Sequence, residues 1–323
     1  MKIVILGAGP AGLIAAKRCM LEFPDAQIDV LDSQPEFAVN YPIYHPFFFH
    51  KDVSMELGIK LQPVDVRVVI HSVPFSEAAT QWSLRTIGRL SKNILWRYDK
   101  PQNVEKWFVT PKGKGLQFQL YQQLKWQSNI KFRFSVKIEK ITSEKWVCIS
   151  NDEDVSFDIL ISTIPLSSYS ILAGDVIPLS HIAVDVVTAG LEFHDVINGV
   201  CEVHYLLDRE GAVRLSNTQG FLTMELGCAP EDGKVRYPRQ GCMSLPPPYN
   251  RVIRDTKDFS SETQKLIRFI PSPLSKPYIF RRTADHDTYF LGRNATWSYK
   301  RIEDLVEDMD TIIKLIKAKE KIP

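Results

Sequence analysis

The chain opens with Met1-Lys-Ile-Val-Ile-Leu-Gly-Ala-Gly-Pro-Ala-Gly12, and its architecture follows from this segment. Lys2 to Leu6 is a short β-branched and aliphatic run, which is typical of a strand buried on both faces of a parallel sheet. Glycines follow at positions 7, 9 and 12, and an amphipathic pattern from Leu13 to Leu21 predicts a helix. A buried strand, a glycine turn and a helix in this order predict a Rossmann-like α/β domain.

The glycine spacing also predicts a ligand. In a G-x-G-x-x-G turn, Gly7 allows the tight turn, Gly9 lets the backbone approach a pyrophosphate, and Gly12 lets the helix pack closely on the strand. Pro10 and Ala11 complete the turn and are also candidate cofactor contacts, and the N-terminus of the helix that follows offers unpaired N–H groups and a positive dipole end to an anion. A second strand ends at Asp32, 20 residues after Gly12, where a carboxylate can bind ribose hydroxyls. These residues predict a dinucleotide site for NAD, NADP or FAD.

Composition limits the class of protein. With 323 residues, 44% hydrophobic and 24% charged, the chain is typical of a globular protein of about two domains. No window reaches the roughly 18 apolar residues of a membrane span, and the five cysteines show no C-x-x-C spacing. The sequence therefore predicts a cytoplasmic protein (in the host cytoplasm if it is viral) with no membrane segment and no metal site.

The segment from Ser33 to His50 is unusual because it holds three prolines and six aromatic residues. Such an apolar, irregular segment is expected to line a cavity or to lie against a flat cofactor ring. Tyr44, His45 and His50 are therefore candidate catalytic residues, and Phe48 is a candidate substrate contact. A structural role for the two histidines is the alternative.

The middle of the chain changes character. Short strand-like runs separated by turn residues predict an antiparallel sheet; they lie at 182–191, 200–207, 212–215 and 221–226. We expect an inserted, mainly antiparallel β substrate domain at 170–285, and a nucleotide-binding domain formed by 1–169 plus 286–323. The last segment repeats the opening pattern, with a strand ending at Gly292 and a helix from Glu303 to Lys319.

Two segments together resemble one flavoprotein superfamily. Gly7-Ala-Gly-Pro-Ala-Gly12 and Tyr289-Phe-Leu-Gly-Arg-Asn-Ala-Thr-Trp-Ser-Tyr299 are similar to segments of the group of UDP-galactopyranose mutase, protoporphyrinogen oxidase and the amine oxidases. The resemblance covers about half of the chain, and the mutase is the most similar member at the C-terminal end. It implies that the cofactor is FAD.

The resemblance also implies roles for single residues. Gly7, Gly9 and Gly12 would lie at the pyrophosphate, Asp32 at the adenosine ribose, and Val136 near the adenine. Gly292 and Arg293 would close the flavin side, and Arg293 with Tyr299 would hold a phosphate of the substrate. An ordinary packed tyrosine is the alternative for Tyr299.

Departures from the family affect the expected reaction. The Gly-Gly pair that usually follows the ribose carboxylate is replaced by Gln34-Pro-Glu-Phe-Ala-Val39, and Arg301 stands where the mutases have an acidic residue. We therefore expect an FAD-dependent oxidoreductase or lyase that oxidises a C–N bond of a phosphate-bearing amine. A UDP-galactopyranose mutase-like isomerase and a non-catalytic flavin-binding protein are the alternatives.

Nucleotides or DNA are the expected phosphate-bearing partners. The segment from Arg85 to Lys100 interleaves basic residues with Trp96 and Tyr98, a pattern that can follow a phosphate backbone and stack bases. A solvated helical face is the alternative interpretation of this segment. A specific version of the hypothesis is a viral flavin lyase that acts on an amino-acid-modified thymine in DNA.

Overall fold

A computed structural model describes much of the chain. The residues it describes are 1–36, 38, 48–71, 103–111, 114–150, 153–174, 181–183, 186–192, 201–206, 212–218, 221–227, 264–266, 269–271, 280–282, 287–293, 295–296 and 301–320. The basic segment from Arg85 to Lys100 lies outside these ranges.

The first sheet confirms the Rossmann-like prediction. Its strands, in spatial order, are β18 (Phe280–Arg282), β19 (Asp287–Phe290), β10 (Ile159–Ser162), β1 (Lys2–Leu6), β2 (Gln27–Leu31) and β6 (Ile130–Arg133). The five strands from β19 to β6 are parallel, and β18 is antiparallel to β19. Because β1 lies between β2 and β10, the strand order reverses beside it, where ligands bind in such sheets.

Five helices are described, and most of them cover this sheet. They are α1 (Pro10–Glu22), α2 (Ser54–Leu57), α3 (Leu116–Leu124), α4 (Leu166–Ala173) and α5 (Ile302–Glu320). Successive side chains of β1 point to opposite faces, so the core has two parts. Ile3 and Ile5 pack with α1, α3 and α5, whereas Val4 and Leu6 pack with α4 and a small antiparallel sheet.

The large second sheet has eight strands. In spatial order they are β16 (Gln264–Leu266), β12 (Val186–Glu192), β15 (Phe221–Gly227), β14 (Ala212–Thr218), β13 (Cys201–Leu206), β4 (Gln62–His71), β5 (Asn103–Val109) and β3 (Phe48–Phe49). All neighbours are antiparallel except β13 and β4, which are parallel. This confirms the mainly antiparallel β region. Three of its strands come from 48–109, within the range that we assigned to the nucleotide-binding domain, so the boundaries at 169 and 285 stay a prediction.

The remaining strands form two small sheets. They are β7 (Lys137–Ile141), β8 (Trp146–Ser150) and β9 (Val155–Ser156) in one, and β11 (His181–Ala183) with β17 (Phe269–Pro271) in the other. Strand β6 ends at Arg133, and β7 begins at Lys137 in a different sheet. Ser135 has a φ of 57°, a left-handed conformation that ends the first strand and redirects the second. Among the described residues, no helix is both long and apolar enough to cross a membrane.

Candidate functional site

The glycine turn after β1 is fixed by packing at two of its three glycines. Gly7 has a φ of 97°, and a methyl group there would lie 2.6 Å from Oγ1 of Thr163. A methyl group on Gly12 would lie 1.8 Å from the carbonyl oxygen of Gly7. These glycines are therefore required by the fold itself, in the roles that the sequence predicts for the tight turn and for close helix packing.

Gly9 differs from its two neighbours. Its backbone is extended, with φ −69° and ψ −177°, so any residue could adopt this conformation. A methyl group there would meet no atom of the described residues within 4 Å. None of the described residues therefore requires a glycine at this position, and the missing side chain leaves open space between them in front of the turn. The residues present therefore fit a dinucleotide whose pyrophosphate approaches the backbone at Gly9.

The first turn of α1 is suited to an anion. The helix begins at Pro10, which has no N–H group to satisfy. Its N-cap residue is Gly9, which has no side chain that could cap the helix. No acidic residue lies in the first turn. The donors at Ala11 and Gly12 and the positive end of the helix dipole therefore face the open space with no negative side chain on this turn.

Asp32 follows β2 directly and lies beside the glycine turn. Its Oδ2 accepts a hydrogen bond from the N–H of Ala8 at 2.5 Å, and its Oδ1 accepts one from the N–H of Gln34 at 2.7 Å. Each carboxylate oxygen keeps a further lone pair that can accept a ribose hydroxyl. The carboxylate is thus held in place by the protein before any ligand binds.

Val136 lies next to Asp32. Its N–H donates to the carbonyl oxygen of Asp32 at 3.1 Å, and its side chain is buried in the core beneath β7 and β8. The structure brings these two predicted residues together at one end of the sheet. The adenine contact predicted for Val136 stays a prediction.

The C-terminal segment returns to the same turn. Gly292 has a φ of 98°, and a methyl group there would lie 2.9 Å from the Cβ of Ala11. The Thr296 backbone N–H and hydroxyl both donate to the carbonyl oxygen of Gly292, at 2.8 and 2.9 Å. Arg293 follows at a half-buried position. The two segments that carry the family resemblance therefore meet in space, although about 280 residues separate them in sequence.

The fold matches that of FAD-dependent oxidoreductases. An oxidoreductase from Methanosarcina mazei superposes with a TM-score of 0.58 at 12% identity, over 97% of this chain and 100% of that one. PqsL, a probable FAD-dependent monooxygenase from Pseudomonas aeruginosa, gives 0.59 at 10% identity, over 100% of this chain and 87% of that one.

CtdE in complex with FAD gives a TM-score of 0.56 at 13% identity, over 97% of this chain and 84% of that one. No protein-family model matches the sequence, and no curated protein matches it. At these identities the likeness concerns the fold. The narrower resemblance to the mutase, protoporphyrinogen oxidase and the amine oxidases stays a prediction.

Most residues predicted for the substrate side cannot be compared with the structure. Tyr44, His45 and Tyr299 lie outside the described residues, and only the backbone of Phe48 is described, where β3 pairs with β5. His50 is described: it is exposed, and its ring lies against Trp107 with 4.4 Å between the ring centroids. The catalytic roles of Tyr44, His45 and His50 stay predictions. The absence of a metal site also stays a prediction. Among the described residues, no three potential metal ligands lie together.

Two residues that the sequence analysis did not identify stabilise the site. One holds the glycine turn after β1, and the other holds the segment that follows Asp32. The hydroxyl of Thr163 donates to the carbonyl oxygen of Leu6 at 2.7 Å and so joins the end of β10 to the glycine turn. The hydroxyl of Tyr121 on α3 donates to Oε1 of Glu36 at 2.8 Å. Burial and this hydrogen bond raise the pKa of Tyr121, which therefore stays protonated.

We expect Tyr121→Phe to lower the free energy of unfolding by about 1 kcal/mol, because the substitution removes one hydrogen bond and keeps the ring. The ring itself packs edge-on against Phe132 and Phe134, at 5.0 and 5.7 Å between centroids. Urea denaturation followed by circular dichroism measures the change. Tyr121→Leu is the comparison: it also removes the aromatic contacts and should cost more. Equal stability of Tyr121→Phe and the unchanged protein would contradict this account of the bond to Glu36.

Glu303, in the first turn of α5, is a third residue whose contacts the sequence analysis did not identify. It is only 4% exposed, and its Oε1 accepts the backbone N–H of His50 at 3.1 Å. Burial raises the pKa of this carboxyl group. The helical pattern of 303–319 predicts α5 correctly but does not reveal this contact, because the partner lies 253 residues away in sequence.

Proposed function

We propose that this protein is an FAD-dependent oxidoreductase. The observation that carries the proposal is the contrast among the three glycines of the first turn. Packing requires Gly7 and Gly12, whereas no described residue packs against Gly9, and an approaching ligand gives a reason for glycine there. The likeness of the whole fold to that of FAD-dependent oxidoreductases supports FAD as the dinucleotide.

The residues of this chain have distinct tasks in such an enzyme. Backbone N–H groups at the start of α1 would hold the pyrophosphate, and Asp32 would hold the adenosine ribose. Arg293 carries a permanent charge and two-point donor geometry, which suits a phosphate group. When bound, the flavin supplies the exchange of electrons with the substrate, and the protein supplies orientation and exclusion of water.

For the substrate, we propose an amine that carries a phosphate group, oxidised at its C–N bond. The spacing of Arg293 and Tyr299, which resembles the phosphate-binding pair of the mutases, supports the phosphate. The aromatic residues of 41–49 would supply an apolar wall for the amine carbon. A nucleotide, or an amino-acid-modified thymine in viral DNA, is the specific form of this proposal.

A second candidate is a reductase or monooxygenase whose flavin is reduced by a nicotinamide cofactor. The likeness to PqsL, a probable FAD-dependent monooxygenase, favours it. The two candidates differ in which compound reduces the flavin, so one anaerobic experiment separates them.

The FAD-loaded protein is mixed anaerobically with one of three reductants, and loss of the oxidised-flavin absorbance is followed. The reductants are a thymidine monophosphate that carries an amino acid on its 5-methyl group, the corresponding nucleoside, and NADPH. We expect the nucleotide to reduce the flavin about tenfold faster than the nucleoside, since one charge-assisted contact is worth about 1.5 kcal/mol or more.

Other outcomes contradict parts of the proposal. Reduction by NADPH alone would favour the second candidate, and equal rates for nucleotide and nucleoside would contradict a role for the phosphate. Turnover of a sugar nucleotide only after chemical reduction would favour the mutase-like alternative. A chain that retains no FAD would contradict the proposed function as a whole. If DNA is the substrate, its binding should also weaken steeply with added salt.

A further inference from the structure

The two peptide units that enter the glycine turn after β1 are held at their N–H groups by the end of β2. These units join Leu6 to Gly7 and Gly7 to Ala8. The N–H of Gly7 donates to the carbonyl oxygen of Leu31 at 2.7 Å, and the N–H of Ala8 donates to Oδ2 of Asp32 at 2.5 Å. The second unit therefore links the turn directly to the carboxylate that is proposed to bind the ribose.

Thr163, directly after β10, holds the carbonyl groups of the same two units. Its N–H and its hydroxyl both donate to the carbonyl oxygen of Leu6, at 2.9 and 2.7 Å. The hydroxyl oxygen also lies 3.4 Å from the carbonyl oxygen of Gly7, so its single hydrogen can be shared between two acceptors. Each peptide unit is thus held at both of its polar groups, from β2 on one side and from β10 on the other.

Gly7 supplies little restraint of its own. Its φ is 97°, and glycine adopts many backbone conformations because it has no side chain. Thr163 also packs closely here, since a methyl group on Gly7 would lie 2.6 Å from its Oγ1. If the peptide unit between Gly7 and Ala8 turned, its N–H group would leave Asp32 and the chain would enter Gly9 differently. A dinucleotide would then have to restore the turn, at a cost to its affinity.

We propose that Thr163 is a positioning residue for the flavin dinucleotide. Its hydroxyl fixes the peptide unit between Gly7 and Ala8. The ribose carboxylate and the open space in front of the turn are therefore already in the arrangement that FAD binds. Thr163 needs no contact with the cofactor for this task, because it acts through the backbone of the turn. This inference rests on the proposed function, since it needs FAD as the ligand.

Thr163→Val tests the hydroxyl, because valine keeps the branched shape and replaces the hydroxyl with a methyl group. A carbon atom normally stays about 3.3 Å or more from a carbonyl oxygen. The methyl group can therefore neither form the hydrogen bond nor fit the 2.7 Å separation from the Leu6 oxygen. We expect the dissociation constant of FAD, measured by fluorescence quenching, to rise about tenfold. Thr163→Ser keeps the hydroxyl and should stay within about twofold of the unchanged protein.

Thr288→Val is the matched control, since it removes another threonine hydroxyl from the same sheet. The Thr288 hydroxyl is buried and shares a hydrogen bond of 3.0 Å with that of Tyr169. Thr288 pairs with Leu160, three residues before Thr163, so it lies away from the turn. We expect the thermal midpoints of the two flavin-free valine variants to differ by less than about 3 °C. Thr288→Val should nevertheless keep the FAD affinity of the unchanged protein within about twofold.

Amide hydrogen exchange of the flavin-free protein tests the turn without any cofactor. Mass spectrometry follows the exchange of the segment 7–12. In Thr163→Val this segment should exchange at least about threefold faster than in the unchanged protein, because the N–H groups of Gly7 and Ala8 lose part of their protection. In Thr163→Ser and Thr288→Val the rate of exchange should stay that of the unchanged protein.

Four results would overturn the inference while leaving the proposed function in place. Thr163→Val could bind FAD as tightly as the unchanged protein, or Thr163→Val and Thr288→Val could lose affinity equally. Thr163→Ser could fail to restore binding, or the turn could exchange at an unchanged rate in Thr163→Val. Absence of FAD binding by the unchanged protein would overturn both the inference and the proposed function.

Discussion

Gly12→Ala should lose the stable fold. The added methyl group would lie 1.8 Å from the carbonyl oxygen of Gly7, which is backbone and cannot move aside as a side chain could. Relief requires α1 to separate from β1, and both elements belong to the main core. We expect a loss of more than about 4 kcal/mol, a large share of the stability of a typical domain. Urea denaturation, followed by far-ultraviolet circular dichroism, measures it.

The same substitution at Gly9 is the control for that experiment. A methyl group at Gly9 meets no atom within 4 Å in the part of the chain that the structure describes, so Gly9→Ala should change the free energy of unfolding by less than about 1 kcal/mol. If Gly12→Ala were equally mild, the close packing of α1 on the first turn would be wrong.

Gly9→Val should fold and yet fail to retain FAD. Its extended backbone accepts a valine, and the Cβ of the new side chain would meet no atom of the described residues within 4 Å. That space is where the pyrophosphate must approach the backbone. We expect the dissociation constant of FAD to rise at least about 100-fold, equivalent to about 2.7 kcal/mol.

Two measurements are needed for this variant. Fluorescence titration gives the affinity for FAD, and the thermal midpoint of the flavin-free protein should stay within about 3 °C of the unchanged one. Tight FAD binding by a folded Gly9→Val protein would mean that the dinucleotide does not approach this turn.

The parts of the site that could be predicted from the sequence are those encoded by short, local patterns. The turn at Gly7 to Gly12 and the carboxylate at Asp32 follow from residue type and spacing. The return of Gly292 follows from a second strand and glycine turn, together with the family resemblance. In each case, a few neighbouring residues carry the whole signal.

The remaining features depend on contacts between distant segments. The bond from Tyr121 to Glu36 spans 85 residues, and that from His50 to Glu303 spans 253. The pairing of β4 with β13 joins residues 62–71 to 201–206, so the large sheet crosses the domain boundary suggested by composition. No local pattern specifies such partners, because a strand or a buried glutamate looks the same whichever element it meets.

The position of α5 has a consequence for how the chain folds during synthesis. The apolar face of α1 is synthesised long before part of its cover, which includes Leu305, Met309, Ile312 and Ile316. Strand β1 likewise has no partner on one edge until β10 has been synthesised, since Ile3 pairs with Ile159. The growing chain therefore carries unpaired strand edges and exposed apolar surface until α5 has been synthesised. We expect slow folding, completed only after that point, and a need for protection from aggregation until then.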